Sequence, residues 1–146
     1  MKYLCIAFFI LLSGCASTNK FVLDSKIDPE DLATLYVYRT DASFHSFNPE
    51  KPYIYLGDKV IAKLGTGQFK RVVIPAGNQR LSVRQPIMFM PGTESDSFKY
   101  SFESGKTYYL RYNFSFNDAT FIGGTVAMTG TSDFHLTTKE NYLARK

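Results

Sequence analysis

The stretch Thr107-Tyr108-Tyr109-Leu110-Arg111-Tyr112-Asn113-Phe114-Ser115-Phe116 decides the fold class. Its even-numbered residues are all apolar or aromatic, whereas its odd-numbered residues are Thr, Tyr, Arg, Asn and Ser. Successive side chains of a β-strand point to opposite faces of a sheet, so this period of two predicts a strand with one buried face. A surface helix would instead repeat its apolar residues every three or four positions.

Similar short runs, separated by turn residues, fill the chain from residue 32 onward. Gly57-Asp58 is typical of a tight hairpin turn, and Pro75-Ala76-Gly77-Asn78 is typical of a longer turn. This spacing predicts an all-β fold, an antiparallel β-sandwich of about 7–8 strands. The predicted strands are residues 32–39, 52–56, 59–64, 67–74, 80–85, 97–103, 107–116 and 121–128.

Two segments depart from this pattern. Residues 86–96 contain two prolines and a glycine, which predicts a long loop. Near the C-terminus, Thr137 and Glu140 have the spacing of a capping box, which predicts a short helix that also holds Lys139, Arg145 and Lys146.

The N-terminus has the three parts of a secretory signal. Lys2 supplies a positive charge, residues 3–12 are apolar, and Ser13 and Gly14 are the small residues expected before a cleavage site. A membrane-spanning helix needs roughly 20 apolar residues, so this segment is too short to be one. We therefore expect a signal peptide at residues 1–14, a polar tether at 15–31 and a single domain at 32–146.

Leu12-Ser13-Gly14-Cys15 resembles the signal motif of bacterial lipoproteins. The resemblance implies cleavage between Gly14 and Cys15, a diacylglyceryl group on the Cys15 sulfur and acylation of the new amino group, which includes palmitate among the expected modifications. Two or more acyl chains hold a protein stably on a membrane. Because Ala16 is not Asp, the resemblance further implies the outer membrane, facing the periplasm, in a Gram-negative host.

Composition excludes several classes of function. The chain has two cysteines; Cys5 would leave with the signal and Cys15 would carry lipid, so the mature domain would have no thiol for a disulfide, a nucleophile or a thiolate metal site. The net charge is +4 and no run of like charges occurs. Nucleic-acid binders cluster their Lys and Arg residues on one element, so we expect no nucleic-acid partner.

No motif indicates catalysis or a cofactor. The two histidines, His45 and His135, lie in segments predicted to be loops. Histidine acts as a base or a metal ligand because its pKa lies near neutrality, but it needs partners. Asp41 and Ser46 are near His45, and Asp133 is near His135. A hydrolase or metal-binding protein using either histidine is a minor alternative, and we expect no enzyme, no metal and no cofactor.

The polar side of the predicted strands is the main candidate for binding. Alternation places Arg80, Arg84, Lys99, Tyr109, Arg111 and Asn113 away from the core, and these residues form one basic face if their strands are neighbours. Met88 and Phe89, in the predicted loop, form an apolar patch that could meet a partner. The sequence thus favours a binding or scaffolding role in the cell envelope, with peptidoglycan or anionic glycolipid binding as the alternative.

Four segments, taken in order behind the lipoprotein signal, resemble the family of bacterial lipoproteins with the domain of unknown function 2846. They are Leu35-Tyr36-Val37-Tyr38-Arg39, the hairpin at residues 55–64, the Pro75-Ala76-Gly77 turn with the strand at 80–83, and residues 105–111. The resemblance implies a sandwich similar to the prealbumin-like domains of carboxypeptidases and carries no activity. This chain has Gly57-Asp58 where the family usually has Asp-Gly, and Gln79 where it often has His.

Overall fold

A computed structural model describes residues 18–40, 51–87, 90–122 and 125–144 of the chain. Within these residues a short 3-10 turn, Pro29–Asp31, precedes eight strands, and an α-helix follows them. The strands are β1 Leu32–Arg39, β2 Tyr53–Leu56, β3 Lys59–Lys63, β4 Phe69–Pro75, β5 Gly77–Ile87, β6 Met90–Phe102, β7 Thr107–Ile122 and β8 Thr125–Thr137, and the helix is α1 Lys139–Leu143.

The strands form two four-stranded sheets. The first sheet has the order β4-β1-β7-β8 and the second has the order β3-β2-β5-β6. Within the sheets every pair is antiparallel except β1 and β7, which run parallel with Leu35 opposite Tyr108. The predicted all-β sandwich with a short C-terminal helix is therefore confirmed, with one parallel pair that the sequence did not reveal.

The core lies between the two sheets and follows from the period of two. Leu35 and Leu110 of the first sheet and Leu81 and Val83 of the second have no exposed surface. Within each strand, the residues that alternate with these core residues have their side chains on the opposite face of the sheet. Other members of the same apolar cluster are Ala33, Val37, Ile54, Leu56, Ile61, Ala62, Leu64, Ile74, Phe102, Tyr112 and Phe134.

Turns with left-handed glycines connect the strands. Gly57, with φ of 60°, closes the β2–β3 hairpin, as Gly57-Asp58 predicts. Gly77, with φ of 86°, is the first residue of β5, which belongs to a different sheet from β4. A residue with a Cβ atom adopts such a φ only with strain, so Gly77 is where the chain changes sheet.

Two of the predicted boundaries are wrong. Residues 86–96 are not a loop, because β5 continues to Ile87 and β6 begins at Met90, with Pro86 opposite Pro91 in a long hairpin. Residues 121–128 are not one strand, because β7 ends at Ile122 and β8 begins at Thr125. Gly and Pro indicate a break in a strand, but they place the ends of a strand less well than alternation places the strand itself.

The C-terminal helix begins one residue later than the capping box predicts. Thr138 is its N-cap, and the Thr138 hydroxyl accepts a hydrogen bond from the Asn141 backbone N–H at 3.3 Å. Thr137 is still part of β8, opposite Tyr109, so its backbone cannot cap a helix. Its hydroxyl instead accepts a hydrogen bond from the Asn141 side chain at 2.9 Å.

Part of the predicted tether, which precedes β1, packs on the domain. Lys20 forms a parallel bridge with Val60, and the backbone N–H groups of Phe21 and Val60 bond to carbonyls across it at 2.9 and 2.8 Å. Phe21 packs against the core. Residues 19–21, which fall in the predicted tether, therefore pack on the domain. Gly14 and Cys15, the predicted cleavage and lipidation positions, lie outside the described residues.

We expect Gly130→Ala to destabilise the β7–β8 hairpin. A Cβ atom at Gly130 would lie 2.7 Å from the Ser115 carbonyl oxygen and would overlap the Phe114 ring. Because backbone cannot move aside cheaply, the predicted loss of unfolding free energy is about 1–3 kcal/mol. Urea denaturation measures it, with Ser115→Ala as an exposed neighbouring control; equal stabilities of the two variants would contradict the prediction.

Candidate functional site

The sandwich divides the expected binding residues between two opposite surfaces. Arg80 and Arg84 lie on β5 and Lys99 on β6, in the second sheet, whereas Tyr109 and Arg111 lie on β7 in the first. β5 and β6 are neighbours, but β7 belongs to the other sheet, so the single basic face expected from the sequence does not form. Met88 and Phe89 fall outside the described residues.

We name the outer surface of the first sheet the tyrosine face. The rings of Tyr36 and Tyr109, paired in the parallel register of β1 and β7, are stacked with centroids 5.5 Å apart and planes at 18°. Tyr142 of α1 lies over this pair, with ring centroids 5.3 Å from Tyr36 and 5.0 Å from Tyr109. It also meets the edges of Tyr38 and Phe69. The helix thus covers one end of the face and leaves Tyr36 and Tyr109 half-buried.

Charged groups continue the tyrosine face toward β8. Arg111 stands opposite His135 in the β7–β8 register and beside Tyr38 in the β1–β7 register. The Nδ1 of His135 lies 2.6 Å from Asp133 Oδ1, and the Nε of Arg111 lies 4.0 Å from Asp133 Oδ2. Among the described residues this Nε has no hydrogen-bond partner. One carboxylate thus lies between two cationic or polar neighbours, and the Arg111 Nε is enclosed by protein atoms rather than open to solvent.

The His135–Asp133 pair is the only part of the minor catalytic or metal alternative that the described residues contain. His135 lies on β8 rather than in the predicted loop, and its side chain is 47% exposed. In the described part of the chain no group of three His, Cys, Asp or Glu residues could hold a metal ion. His45, with Asp41 and Ser46, lies outside the described residues.

We name the outer surface of the second sheet the basic face. On β2 and its neighbours two cations lie over tyrosine rings: Lys63 Nζ is 4.5 Å from the Tyr53 ring centroid, and Arg84 Cζ is 5.4 Å from the Tyr55 ring centroid. Lys63 Nζ also donates to the Tyr53 hydroxyl at 2.9 Å. Such contacts hold both cations against the sheet. The cations of the basic face are Lys20, Lys63, Arg80, Arg84 and Lys99.

A single ion pair lies on the basic face among the described residues. Arg80 Nη2 donates to Glu94 and, at 3.0 Å, to the Ser97 hydroxyl. The hydrogen bond from Arg80 holds the pKa of Glu94 below its ordinary value, and the same bond raises the pKa of Arg80. The remaining cations of this face thus have no carboxylate within ion-pair distance in the part of the chain described.

We expect Glu94→Gln to lower stability slightly at pH 7 and not at all in acid. The depressed pKa means that the carboxylate contributes stability above the unfolded value, about 4.3, and that this contribution is lost as pH falls through the folded pKa. The effect is small because the pair is partly exposed to solvent. Thermal unfolding of both proteins from pH 7 down to pH 3 measures it. Glu103→Gln controls for removal of an exposed carboxylate, and a pH-independent difference for Glu94→Gln would contradict the assignment.

Apart from the two outer faces, a cluster of polar side chains lies between the sheets. Arg39 is only 6% exposed, its Nη1 donates to the Leu64 carbonyl at 3.4 Å, and its Cζ lies 5.8 Å from the Tyr112 ring centroid. The Tyr112 hydroxyl accepts a hydrogen bond from Gln85. Burial lowers the pKa of Arg39 and raises that of Tyr112. This group is enclosed by side chains, so it joins the two sheets rather than meeting a ligand.

The comparisons with known proteins bear on the whole sandwich. The family model described as "Protein of unknown function (DUF2846)" matches residues 29–125, two thirds of the chain. The chain belongs to this family. No curated protein and no solved structure matches it.

The DUF2846 match covers the two faces unequally. It includes β1 to β7 and therefore Tyr36, Tyr109 and Arg111, together with the four strands of the second sheet. It ends at Thr125, so Asp133, His135 and Tyr142 lie beyond it. The family match thus covers seven of the eight described strands. β8 and α1, which complete the tyrosine face, lie almost entirely beyond it. Within the described residues, none of the helices has the length and apolar character to cross a membrane.

Sequence reasoning missed several residues of these faces. Tyr36 was visible as the outward partner of Leu35 in β1, but its stacking on Tyr109 requires the parallel pairing of two strands distant in sequence. Lys20 was assigned to a tether. Asp133 and His135 alternate with Phe134 and Leu136, a pattern that indicates the strand in which His135 lies.

Proposed function

We propose that this DUF2846 chain is a lipid-anchored, non-enzymatic binding module of the bacterial cell envelope. Acyl chains on Cys15 would hold it on the outer membrane, facing the periplasm, and the tyrosine face would contact another envelope protein. The lipoprotein motif at residues 12–15 supports the anchor. The family carries no stated activity, so the binding role rests on the geometry of the face.

The observation that carries the binding role is the position of Arg111. Its side chain is 34% exposed and lies beside the stacked Tyr36–Tyr109 pair, and the nearest Asp133 oxygen is 4.0 Å from its Nε, beyond hydrogen-bond distance. Tyr and Arg are the residue types that dominate the binding energy of protein interfaces, because they combine a large apolar area with directional donors. A carboxylate of a partner would meet the positive charge of Arg111 at the exposed part of its side chain, while the rings supply the apolar contact.

Site-specific photo-crosslinking in living cells tests this role. A crosslinking phenylalanine analogue replaces Tyr109 in the lipidated protein, and the same analogue at Tyr100, which is 40% exposed on β6, is the matched control. We expect a discrete band from position 109 and none from position 100. Removing an interface anchor typically costs 2 kcal/mol or more, so Arg111→Ala should weaken the band about 30-fold in apparent affinity.

The opposite outcome favours the alternative function. Stacked tyrosines also offer a flat apolar platform for a sugar ring, and Arg111 suits an anionic glycan. No band at position 109, together with salt-sensitive cosedimentation of the protein with isolated sacculi, would overturn the protein-partner role in favour of peptidoglycan or anionic glycolipid binding. Equal bands from positions 109 and 100 would show that the tyrosine face is not the binding surface.

A further inference from the structure

We infer that the basic face docks on the anionic surface of the membrane that carries the lipid anchor. This inference rests on the proposed lipidation of Cys15 and goes beyond it, because an anchor alone does not say which surface of the domain meets the lipid. Two observations carry it: the short chain between Cys15 and the packed domain, and the distribution of charge over the second sheet.

The first observation is the length of the tether. The chain is fixed on β3 from Asn19 onward, where the Asn19 carbonyl accepts from the Val60 N–H at 2.8 Å and Lys20 bridges Val60. Three residues separate Cys15 from Asn19, which is four positions further along the chain. A fully extended chain spans at most about 3.6 Å per residue, so the Asn19 Cα lies within about 14 Å of the Cys15 Cα. The edge of the second sheet is therefore held at the bilayer surface, whereas a tether ending at residue 31 would have let the domain tumble freely.

The second observation is the charge of the face at that edge. Among the described residues, five cations project from the outer side of the second sheet and the Lys20 segment added to it, and the carboxylate that forms an ion pair there, Glu94, is engaged by Arg80. Lys20, Lys63 and Lys99 are exposed. Each Lys or Arg near an anionic bilayer surface strengthens association by about five-fold. Val22, two residues after Lys20 and 77% exposed, adds an apolar side chain beside the same edge.

This orientation leaves the other side of the sandwich available. The tyrosine face is the outer surface of the opposite sheet, and packed sheets lie about 10 Å apart. With the basic face on the lipid, Tyr109 and Arg111 point away from the bilayer into the aqueous compartment. Membrane docking and partner binding therefore use separate surfaces and can be tested separately.

Fluorescence quenching by lipid in reconstituted vesicles tests the orientation. The full chain is expressed in a bacterium that processes lipoproteins, purified with its lipid, and labelled at Val22→Cys or, as the matched control on the opposite sheet, at exposed Arg71→Cys. Vesicles contain phosphatidylethanolamine, phosphatidylglycerol and a headgroup-labelled quencher lipid. We expect stronger quenching at position 22 than at position 71, and loss of the difference when phosphatidylglycerol is replaced by phosphatidylcholine or when salt is raised.

Charge variants make the test specific. The triple variant Lys20→Gln, Lys63→Gln and Lys99→Gln should shift the docked-to-undocked ratio about 100-fold toward the undocked form. Glu94→Gln should shift it about five-fold the other way, because it removes the carboxylate. A second triple variant loses the same charge elsewhere and should leave quenching unchanged; it combines Lys70→Gln, Lys106→Gln and Lys139→Gln, all exposed residues outside the basic face.

The outcomes separate the two proposals. If intact-mass measurement finds no acyl groups on Cys15, the anchor itself is wrong and docking falls with it. If Cys15 is lipidated but positions 22 and 71 are quenched equally, the anchor stands and docking of the basic face is overturned. Equal effects of the two triple variants would also overturn it, because they would show a dependence on net charge rather than on this surface.

Discussion

Leu110→Ala should unfold this domain more effectively than any other single truncation considered. Leu110 is fully buried on β7, a central strand of the first sheet, between Leu136 of β8 and Val37 of β1. Removing three carbons there loses apolar burial and leaves a cavity that two flanking strands prevent from closing. Buried Leu→Ala changes cost about 3–5 kcal/mol, a large fraction of the 5–15 kcal/mol that stabilises a typical domain.

The same substitution at Leu143 is the matched control. Leu143 belongs to α1 and is 63% exposed, so its truncation removes little buried surface and should change stability by less than about 0.5 kcal/mol. Equilibrium urea denaturation of the three proteins, with circular dichroism as the probe, gives both differences. A Leu110→Ala loss no larger than the Leu143→Ala loss would mean that the two sheets do not pack as described.

Local pattern was sufficient to predict the elements of the fold but not how they assemble. Alternation over residues 107–116 and the Gly57-Asp58 turn each concern neighbours in sequence, and both led to correct predictions. The parallel pairing of β1 with β7 joins residues more than 70 positions apart, and nothing in the sequence of either strand indicates which strand it pairs with. Several strands could occupy that position with similar alternation, so the pairing depends on the packing of the whole sandwich.

The same limit explains the binding residues. Alternation correctly separated outward residues such as Arg80 and Arg111 from the core residues beside them. It could not say that β5 and β7 belong to different sheets, and that single fact turns one expected basic face into two surfaces of different chemistry. The prolines at 86 and 91 had a related effect, because they suggested a loop. They instead face each other in the β5–β6 hairpin, Pro86 beyond the part of β5 that pairs with β2 and Pro91 on the edge strand β6, where a missing N–H is tolerated.

Tyr142→Ala should detach α1 and uncover the tyrosine face. A helix of five residues cannot hold itself together in water, so it depends on docking. Tyr142 is the buried residue of α1, 7% exposed, and its ring meets Tyr36, Tyr38, Phe69 and Tyr109. Truncation of a buried aromatic residue costs about 3–5 kcal/mol. Because the helix lies at the edge of the fold, we expect local detachment to limit the loss in global stability to about 2–3 kcal/mol, at or below the lower end of that cost.

Hydrogen exchange distinguishes local detachment from general destabilisation. In Tyr142→Ala the amides of residues 141–144 should lose protection, whereas the β1 and β7 amides should keep theirs until the whole domain opens. Tyr142→Phe keeps the ring and should behave nearly as the unmodified chain. If the tyrosine face binds a partner beside α1, Tyr142→Ala should also change the crosslink from position 109, while Tyr142→Phe should not. Uniform loss of protection across β1, β7 and α1 would instead show that Tyr142 is part of the core and that α1 does not cover an independent surface.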